Sequence, residues 1–342
     1  MSADINQTNK RAVWSLYNAI DHADDASLLA ACRDYFHDDA PWFGPSPIDR
    51  VDGPDALVEQ VFRPLRAAFS GLSRDTFILM GGPSNGRVDG KGDGAMWVGT
   101  TGVFRGEFVS PYLDIPPTGE AASLRFGEFM RFQDDRIVES YVIFDLLDLM
   151  EQAGVRVLPP SLGKPFIYPP PAAADGILLE QQDTEITAYS MDHTRRFIFA
   201  ALNGYDEKDL TSMGMADYFH PDIAWYGPGG IGACLSFKDF QSQHQGPWLR
   251  AFPDRRVQNL TALIAEGVYS GGPGWAGVKG HHLGEFRGVP ASNAALDING
   301  LDFWKRDGEQ YVENWVFVDM VHLFSQMGVD LMQQMRTAII TR

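Results

Sequence analysis

Three carboxyl or imidazole groups lie in settings that suit proton transfer. His282 alternates with Val278, so the two share a face if the segment is extended, and a histidine exchanges protons near neutral pH. Asp302 and Glu128 each lie in an apolar stretch, where an unpaired carboxylate is costly to bury. We predict that His282 and Asp302 form an acid/base pair acting on a carbonyl compound, with Glu128 as the equivalent carboxylate of the N-terminal half. The alternatives are a histidine that orients a backbone carbonyl and carboxylates held in ordinary ion pairs.

Four aromatic residues, Trp42, Phe43, Trp225 and Tyr226, stand just before Gly-Pro turns. They are candidates to line the mouth of a site for a flat or cyclic substrate. The alternative is that they pack in the core, which is the more common place for large aromatic side chains.

Two aspartates, Asp145 and Asp319, are further candidates for substrate binding. Each directly precedes an amphipathic helical pattern. An aspartate in that position commonly accepts hydrogen bonds from the first amide groups of the helix. Helix capping is therefore the favoured interpretation of both residues.

These residues are distributed over two copies of one pattern. Asp34–His37 recurs as Asp217–His220, and Gly106–Phe108 recurs as Gly284–Phe286. Many more residues match in the same order, as in Trp42 with Trp225, Pro64 with Pro247, Glu128-Phe129 with Asp302-Phe303, and Val138-Glu139 with Val312-Glu313. The chain therefore contains one unit twice, over residues 8–155 and 185–330. Residues 156–184 between them are rich in proline, which is typical of a semi-rigid linker.

Each copy is predicted to place helices ahead of strands. In the second copy the spacing of apolar residues predicts helices near Met191–Gly204, Glu207–Phe219 and Phe237–Phe252. Strands are predicted near Val257–Val268, Trp275–Phe286, Leu296–Lys305 and Gln310–Asp319. Helices grouped before an antiparallel sheet indicate an α+β fold in which the helices cover one face of a curved sheet. Such a sheet can enclose a pocket.

Composition excludes several kinds of partner. The formal charge of −17 repels phosphate backbones and anionic lipid surfaces, so we expect no nucleic-acid partner and no membrane partner. No apolar run has the length of a signal peptide or a membrane span, which makes the cytoplasm the expected compartment. The two cysteines, Cys32 and Cys234, lie in unrelated contexts and predict neither a disulfide nor a metal site.

The chain resembles the SnoaL-like polyketide cyclase branch of the NTF2-like superfamily. The second copy carries the resemblance in Gly280–Pro290, Asp302–Trp304, Val312–Trp315, Asp319 and Gln326–Gly328. The first copy carries it in Gly106–Phe108, Ile115–Gly119, Glu128-Phe129 and Val138–Tyr141. The resemblance implies two cone-shaped α+β barrels, each with three N-terminal helices on a curved antiparallel sheet around an apolar cavity. It also implies proton abstraction next to a carbonyl by a carboxylate, with no metal or organic cofactor.

Two departures from the family pattern bear on the chemistry. The family often has Asp directly after the last-strand Trp, whereas this chain has Val316 after Trp315 and Val142 after Tyr141. The first copy also has Phe104 where the second has His282. We therefore expect the second copy to be the more competent catalyst. A non-catalytic carrier of a small hydrophobic molecule is the competing function.

The tandem copies have a further expected role in assembly. They are predicted to pack sheet to sheet as an intramolecular pseudo-dimer, replacing the homodimer common among such folds, with further homo-oligomers left open.

Overall fold

The computed structural model describes residues 2–206, 209 and 213–340, and the backbone alone at residues 2 and 3. It contains two α+β domains in tandem, each built on a six-stranded sheet. In the described residues, no helix is both long enough and apolar enough to span a lipid bilayer.

The first domain begins with a helical layer and continues into its sheet. Its helices are α1 Ser2–His22, α2 Asp25–Tyr35, α3 Gly53–Leu57, α4 Arg63–Ala68 and α5 Leu146–Gln152, with one turn of π-helix at Val58–Phe62. Its strands are β1 Pro41–Phe43, β2 Arg50–Asp52, β3 Phe69–Pro83, β4 Met96–Phe108, β5 Ala121–Gln133 and β6 Arg136–Phe144. They are ordered β2-β1-β6-β5-β4-β3. The Asp24 side chain caps α2 by accepting from the amides of Ala26 and Ser27, which fixes where the helix begins.

The second domain repeats this plan. Its helices are α6 Thr184–Arg196, α7 Phe237–Asp239, α8 Gly246–Ala251, α9 Met320–Gln326 and α10 Leu331–Ile340, with π-helical turns at Phe197–Ala201 and Phe240–Gln245 and a 3₁₀ turn at Met215–Asp217. Its strands are β7 Phe219–Tyr226, β8 Arg256–Val257, β9 Ile264–Glu266, β10 Tyr269–His281, β11 Ala295–Asp307 and β12 Gln310–Val318. The order is β7-β12-β11-β10-β8, and β9 pairs with β10.

The structure corrects three details of the predicted elements. Each sheet is mixed, because β1 pairs with β6 and β7 pairs with β12 in parallel after a crossover. The strand predicted over Val257–Val268 is two short strands, β8 and β9. The helix predicted over Glu207–Phe219 lies partly outside the described residues, and its described C-terminal part is the 3₁₀ turn followed by β7.

The two sheets pack against each other through the faces that do not carry the helices. Phe129 of β5 stacks on Phe303 of β11, with ring centroids 4.7 Å apart. These two residues occupy matching positions in the repeat, so the contact joins equivalent points of the two domains. A buried ion pair between Lys10 and Glu266 also crosses the interface.

The proline-rich linker is held by both domains. The Tyr168 hydroxyl lies 2.5 Å from the hydroxyl of Thr101 in the first domain. The Trp315 indole of the second domain donates to the Pro169 carbonyl at 2.8 Å. The linker is therefore part of the packed structure and not a free spacer.

Candidate functional site

The second domain has a cavity of about 180 Å³ between its sheet and its helices. Its walls are largely aromatic and aliphatic, and include Phe197, Trp225, Phe240, Trp248, Trp304 and Val316. Five polar side chains of the described residues also reach it: His244, Gln245, Arg255, Asp302 and Asn314. An engineered cavity of about 150 Å³ binds benzene, so this one has room for a single substituted ring.

Asp302 places a carboxyl group in this apolar surrounding. It lies on β11, opposite Gly272 of β10 and Val316 of β12. Asn314 donates to its Oδ1 at 3.4 Å, a long hydrogen bond, and also donates to the Phe303 carbonyl at 3.0 Å. Burial raises the pKa of Asp302 to about 7, and the Asn314 hydrogen bond offsets this only in part. The carboxyl group is therefore poised to gain and lose a proton near neutral pH.

His244 is the second polar residue of the cavity, and the sequence did not identify it. It lies in the π-helical turn Phe240–Gln245, an irregularity often found at functional sites. Its ring stacks on Trp225 with centroids 4.2 Å apart and planes inclined by 19°. Burial, together with the positive charge of Arg255, lowers the pKa of His244 to about 3. The imidazole is therefore neutral at physiological pH and can donate a hydrogen bond without carrying charge.

His282 does not enter the cavity, which corrects the predicted His282 and Asp302 pair. The two residues share a face of the sheet, but His282 pairs with Ala294, eight residues along from Asp302. At about 3.3 Å per residue this separates them by roughly 26 Å along the strand. The His282 ring instead packs near Phe252 at 5.7 Å, and its Nδ1 lies 3.0 Å from the Ser292 hydroxyl and 3.2 Å from the Ser292 amide nitrogen.

The corresponding interior of the first domain is filled by its own side chains. Glu128 occupies the position of Asp302, but there its carboxylate accepts a hydrogen bond from the Tyr17 hydroxyl at 2.6 Å. That hydroxyl also lies 2.6 Å from Thr100, which stands where the second domain has Gly272. Phe104 packs beside Phe126 at 4.9 Å. The void bordered by Phe104 and the helices is about 20 Å³, enough for about one water molecule.

The four aromatic candidates have different locations. Trp225 lines the cavity and stacks on His244. Tyr226 faces away from it, toward Trp315 at 5.5 Å. Phe43 stacks on Tyr141 at 4.8 Å, and Trp42 is buried in the core of the first domain. Trp225 is therefore the one of the four with access to this cavity.

Asp145 and Asp319 cap helices, and each also binds the opposite domain. Asp145 accepts from the Asp148 amide at the start of α5, and Asp319 accepts from the His322 amide at the start of α9. Asp145 accepts in addition from the Gly229 amide at 2.8 Å, and Asp319 from the Ser46 amide at 2.9 Å. The two contacts are reciprocal, as expected for copies related by a two-fold axis. Neither residue lines the cavity.

The structure also bears on metal binding. Within residues 2–206, 209 and 213–340, no group of three or more His, Cys, Asp and Glu side chains is placed to hold a metal ion. Cys32 and Cys234 are both buried as free thiols, and burial raises the pKa of each to about 12. Neither thiol is available as a thiolate at neutral pH.

Comparison with known proteins places this architecture in a family. The family model described as SnoaL-like polyketide cyclase matches residues 15–153 and again residues 195–327. The chain belongs to the SnoaL-like polyketide cyclase family. The two matches correspond to the two domains, so the chain is a tandem SnoaL-like protein. No curated protein matches it.

Solved structures similar to this SnoaL-like chain correspond in length to one domain. IdmH of Streptomyces antibioticus, a candidate polyketide cyclase, is 21% identical over 43% of this chain and 99% of its own, with a TM-score of 0.34. A candidate SnoaL-like polyketide cyclase from Jannaschia sp. CCS1 is 18% identical over 46% of this chain and 96% of its own, with a TM-score of 0.35. AclR of Streptomyces galilaeus, a candidate hydroxylase, is 22% identical over 42% of this chain and 86% of its own, with a TM-score of 0.34.

Proposed function

We propose that the second domain is an acid/base catalyst of the cyclase or isomerase type that acts on a small hydrophobic carbonyl compound. The observation that carries this proposal is the Asp302 carboxyl group, which lies in a largely apolar cavity and receives, from the residues that the structure describes, a single long hydrogen bond, donated by Asn314. A carboxylate freed of water and weakly hydrogen-bonded is a stronger base than one in solution. Family membership supports the same class of reaction.

The proposed reaction uses residues of this chain alone. The Asp302 carboxylate removes a proton from the carbon next to the substrate carbonyl, and the C–H electron pair moves onto the carbonyl oxygen to give an enolate. Neutral His244 donates a hydrogen bond to that oxygen and so stabilises its charge. The enolate carbon then attacks a second carbonyl and closes a ring, or, where the enolate is conjugated with a C=C bond, a more distant carbon takes the proton and the double bond shifts. In both cases Asp302 returns its proton, to the new alkoxide or to carbon.

Exchange of carbon-bound protons tests this proposal without knowledge of the natural substrate. Cyclohexanone and other single-ring ketones match the size of the cavity and are incubated with the protein in D₂O, with loss of the α-proton signals followed by NMR. We expect catalysed exchange, and a loss of at least about 100-fold in Asp302→Asn, the usual contribution of a general base. The rate should rise with pH up to about 7, because the base must be ionised.

Two further variants make the test specific. Asp297→Asn removes an exposed carboxylate from the same strand and should exchange at the wild-type rate. Glu128→Gln tests whether the first domain contributes to the proton exchange. We expect no loss of exchange rate, because the Glu128 side chain already accepts a hydrogen bond from the Tyr17 hydroxyl. An Asp302→Asn protein that exchanges as fast as the wild type would contradict the proposal.

A carrier without catalysis is the second candidate function. It is favoured by Val316, which stands beside Asp302 where the family often has its aspartate. Native mass spectrometry of the purified protein would identify a retained ligand. Recovery of that compound unchanged after prolonged incubation with the wild-type protein favours the carrier, whereas its conversion favours the enzyme.

A further inference from the structure

The arginine of the cavity is buried without a carboxylate partner. Arg255 is 5% exposed and lines the cavity just before β8. Its Nη2 donates to the Leu202 carbonyl at 3.0 Å and lies 3.8 Å from the Met213 sulfur. Among the described residues, neither Nε nor Nη1 has a hydrogen-bond acceptor, and no acidic side chain forms an ion pair with this guanidinium. A buried cation normally requires a compensating negative charge, because removing it from water costs several kcal/mol.

Other buried arginines of the chain are compensated. Arg74 forms an ion pair with Asp21 at 3.2 Å, and Arg125 does so with Asp148 at 2.7 Å. Arg306 has no acidic partner in the part of the chain that the structure describes, but donates from Nε, Nη1 and Nη2 to Ser190, Gly308 and Ile186. Arg255 differs from all three because, among the described residues, its Nε and Nη1 have no acceptor, and it lines the cavity that contains Asp302.

Arg255 lies at the end of the cavity opposite Asp302. Val257 pairs with Val278, and Val278 pairs with Ile298, which is four residues from Asp302 on β11. At about 3.3 Å per residue, this places the Arg255 backbone at least roughly 13 Å from that of Asp302. The cavity thus offers a cation at one end and a proton acceptor at the other.

We propose that Arg255 is a specificity-determining residue that binds a carboxylate of the ligand, so that the substrate is a small cyclic or aromatic carboxylic acid. The planar guanidinium can form two parallel hydrogen bonds with a carboxylate and supply the missing negative charge. The bound carboxylate then orients the ligand so that the opposite edge of its ring faces Asp302. This inference rests on the proposed function only in using the same cavity.

Benzoate and benzamide are the probes, because they share a ring and a shape and differ in charge. Isothermal titration calorimetry on the full chain should show benzoate binding about 10- to 100-fold more tightly than benzamide, the range of a charge-assisted hydrogen bond. In Arg255→Gln this preference should disappear while the benzamide affinity is unchanged, which also shows that the cavity has folded. Arg255→Lys should retain part of the preference, because the charge remains.

Matched variants separate this inference from its alternatives. Arg306→Gln removes a buried arginine outside the cavity and should leave the benzoate preference intact. An arginine that serves only to hold the Leu202 carbonyl would leave the affinity ratio unchanged when replaced. The anion site would be overturned if the wild type bound benzoate and benzamide with equal affinity, or bound neither compound at millimolar concentration. Proton exchange by Asp302 is tested separately, with the ring ketones.

Discussion

We predict that the stability of Asp302→Asn, measured as its difference from the wild type, increases with pH. Burial raises the pKa of this carboxyl from 3.8 to about 7. The folded state therefore holds a proton that the unfolded chain has already released between about pH 4 and pH 7. Stability contributed by the proton is lost as the pH rises through this window. Asparagine does not titrate, so the variant does not undergo this loss of stability.

The magnitude follows from the difference between the two pKa values. At about 1.36 kcal/mol per unit, ionised Asp302 costs the folded state about 4 kcal/mol when the pH is above both values. At pH 5.5 roughly half of this cost is already present, because the unfolded chain is ionised and the folded chain is not. The stability of Asp302→Asn relative to the wild type should therefore increase by about 2 kcal/mol between pH 5.5 and pH 8.5.

Urea unfolding followed by tryptophan fluorescence measures this change. Comparing the two pH values cancels any constant cost of the amide group, such as a hydrogen bond that asparagine makes poorly. Asp297→Asn is the matched control, because its side chain is 55% exposed and its ion pair with Lys279 is worth at most about 1 kcal/mol. A stability difference for Asp302→Asn that stays constant over this range, or widens toward low pH, would refute a raised pKa.

Two other predictions concern buried polar groups. Asn314→Leu removes the hydrogen bond that stabilises the Asp302 carboxylate, so the pKa of Asp302 should rise by on the order of one unit. The rise is measured as a shift of the pH dependence of unfolding stability. Ser140→Ala, at the matching position of the first domain, should cause no shift. Lys10→Met leaves Glu266 buried without its cation and should destabilise the chain by about 3–5 kcal/mol in urea unfolding. Adding Glu266→Gln should restore part of that loss, and a double variant no more stable than Lys10→Met would show that the charge is unimportant.

Much of the fold could be predicted because the sequence states it twice. Matching glycines and tryptophans fixed the order of the elements, and helices preceding strands indicated α+β. Parallel pairing of β1 with β6 could not be inferred in the same way, because it depends on a crossover whose path is set by tertiary packing.

The catalytic candidates show why local sequence patterns identify only some of the residues of a site. Asp302 was detectable because a charge in an apolar strand needs an explanation. Alternation groups His282 with Val278 on one face of a strand, but it fixes a face and not a distance along the strand. His244 lies four residues after Phe240 and four before Trp248, so its spacing resembles that of a buried helical face. Only the structure shows that this face lines the same cavity as Asp302.

The two helix-capping aspartates illustrate the same limit. Their capping role was predictable, since the residue type and its position before a helix are local features. Their second role, in which each accepts an amide hydrogen from the opposite domain, involves residues far away in the chain. Contacts of this kind depend on how the two domains pack and leave no pattern in either segment alone.

The titration of Asp302 itself tests most directly whether this residue can act as a base at neutral pH. Protein labelled with ¹³C at the aspartate side-chain carboxyl is titrated by NMR, and the Asp302 signal is assigned by its absence in Asp302→Asn. We expect a midpoint near pH 7. We also expect benzoate bound at the Arg255 end of the cavity to perturb this signal. A midpoint near the ordinary aspartate value of about 4 would mean that the cavity does not make Asp302 a base, and would contradict the proposed catalysis.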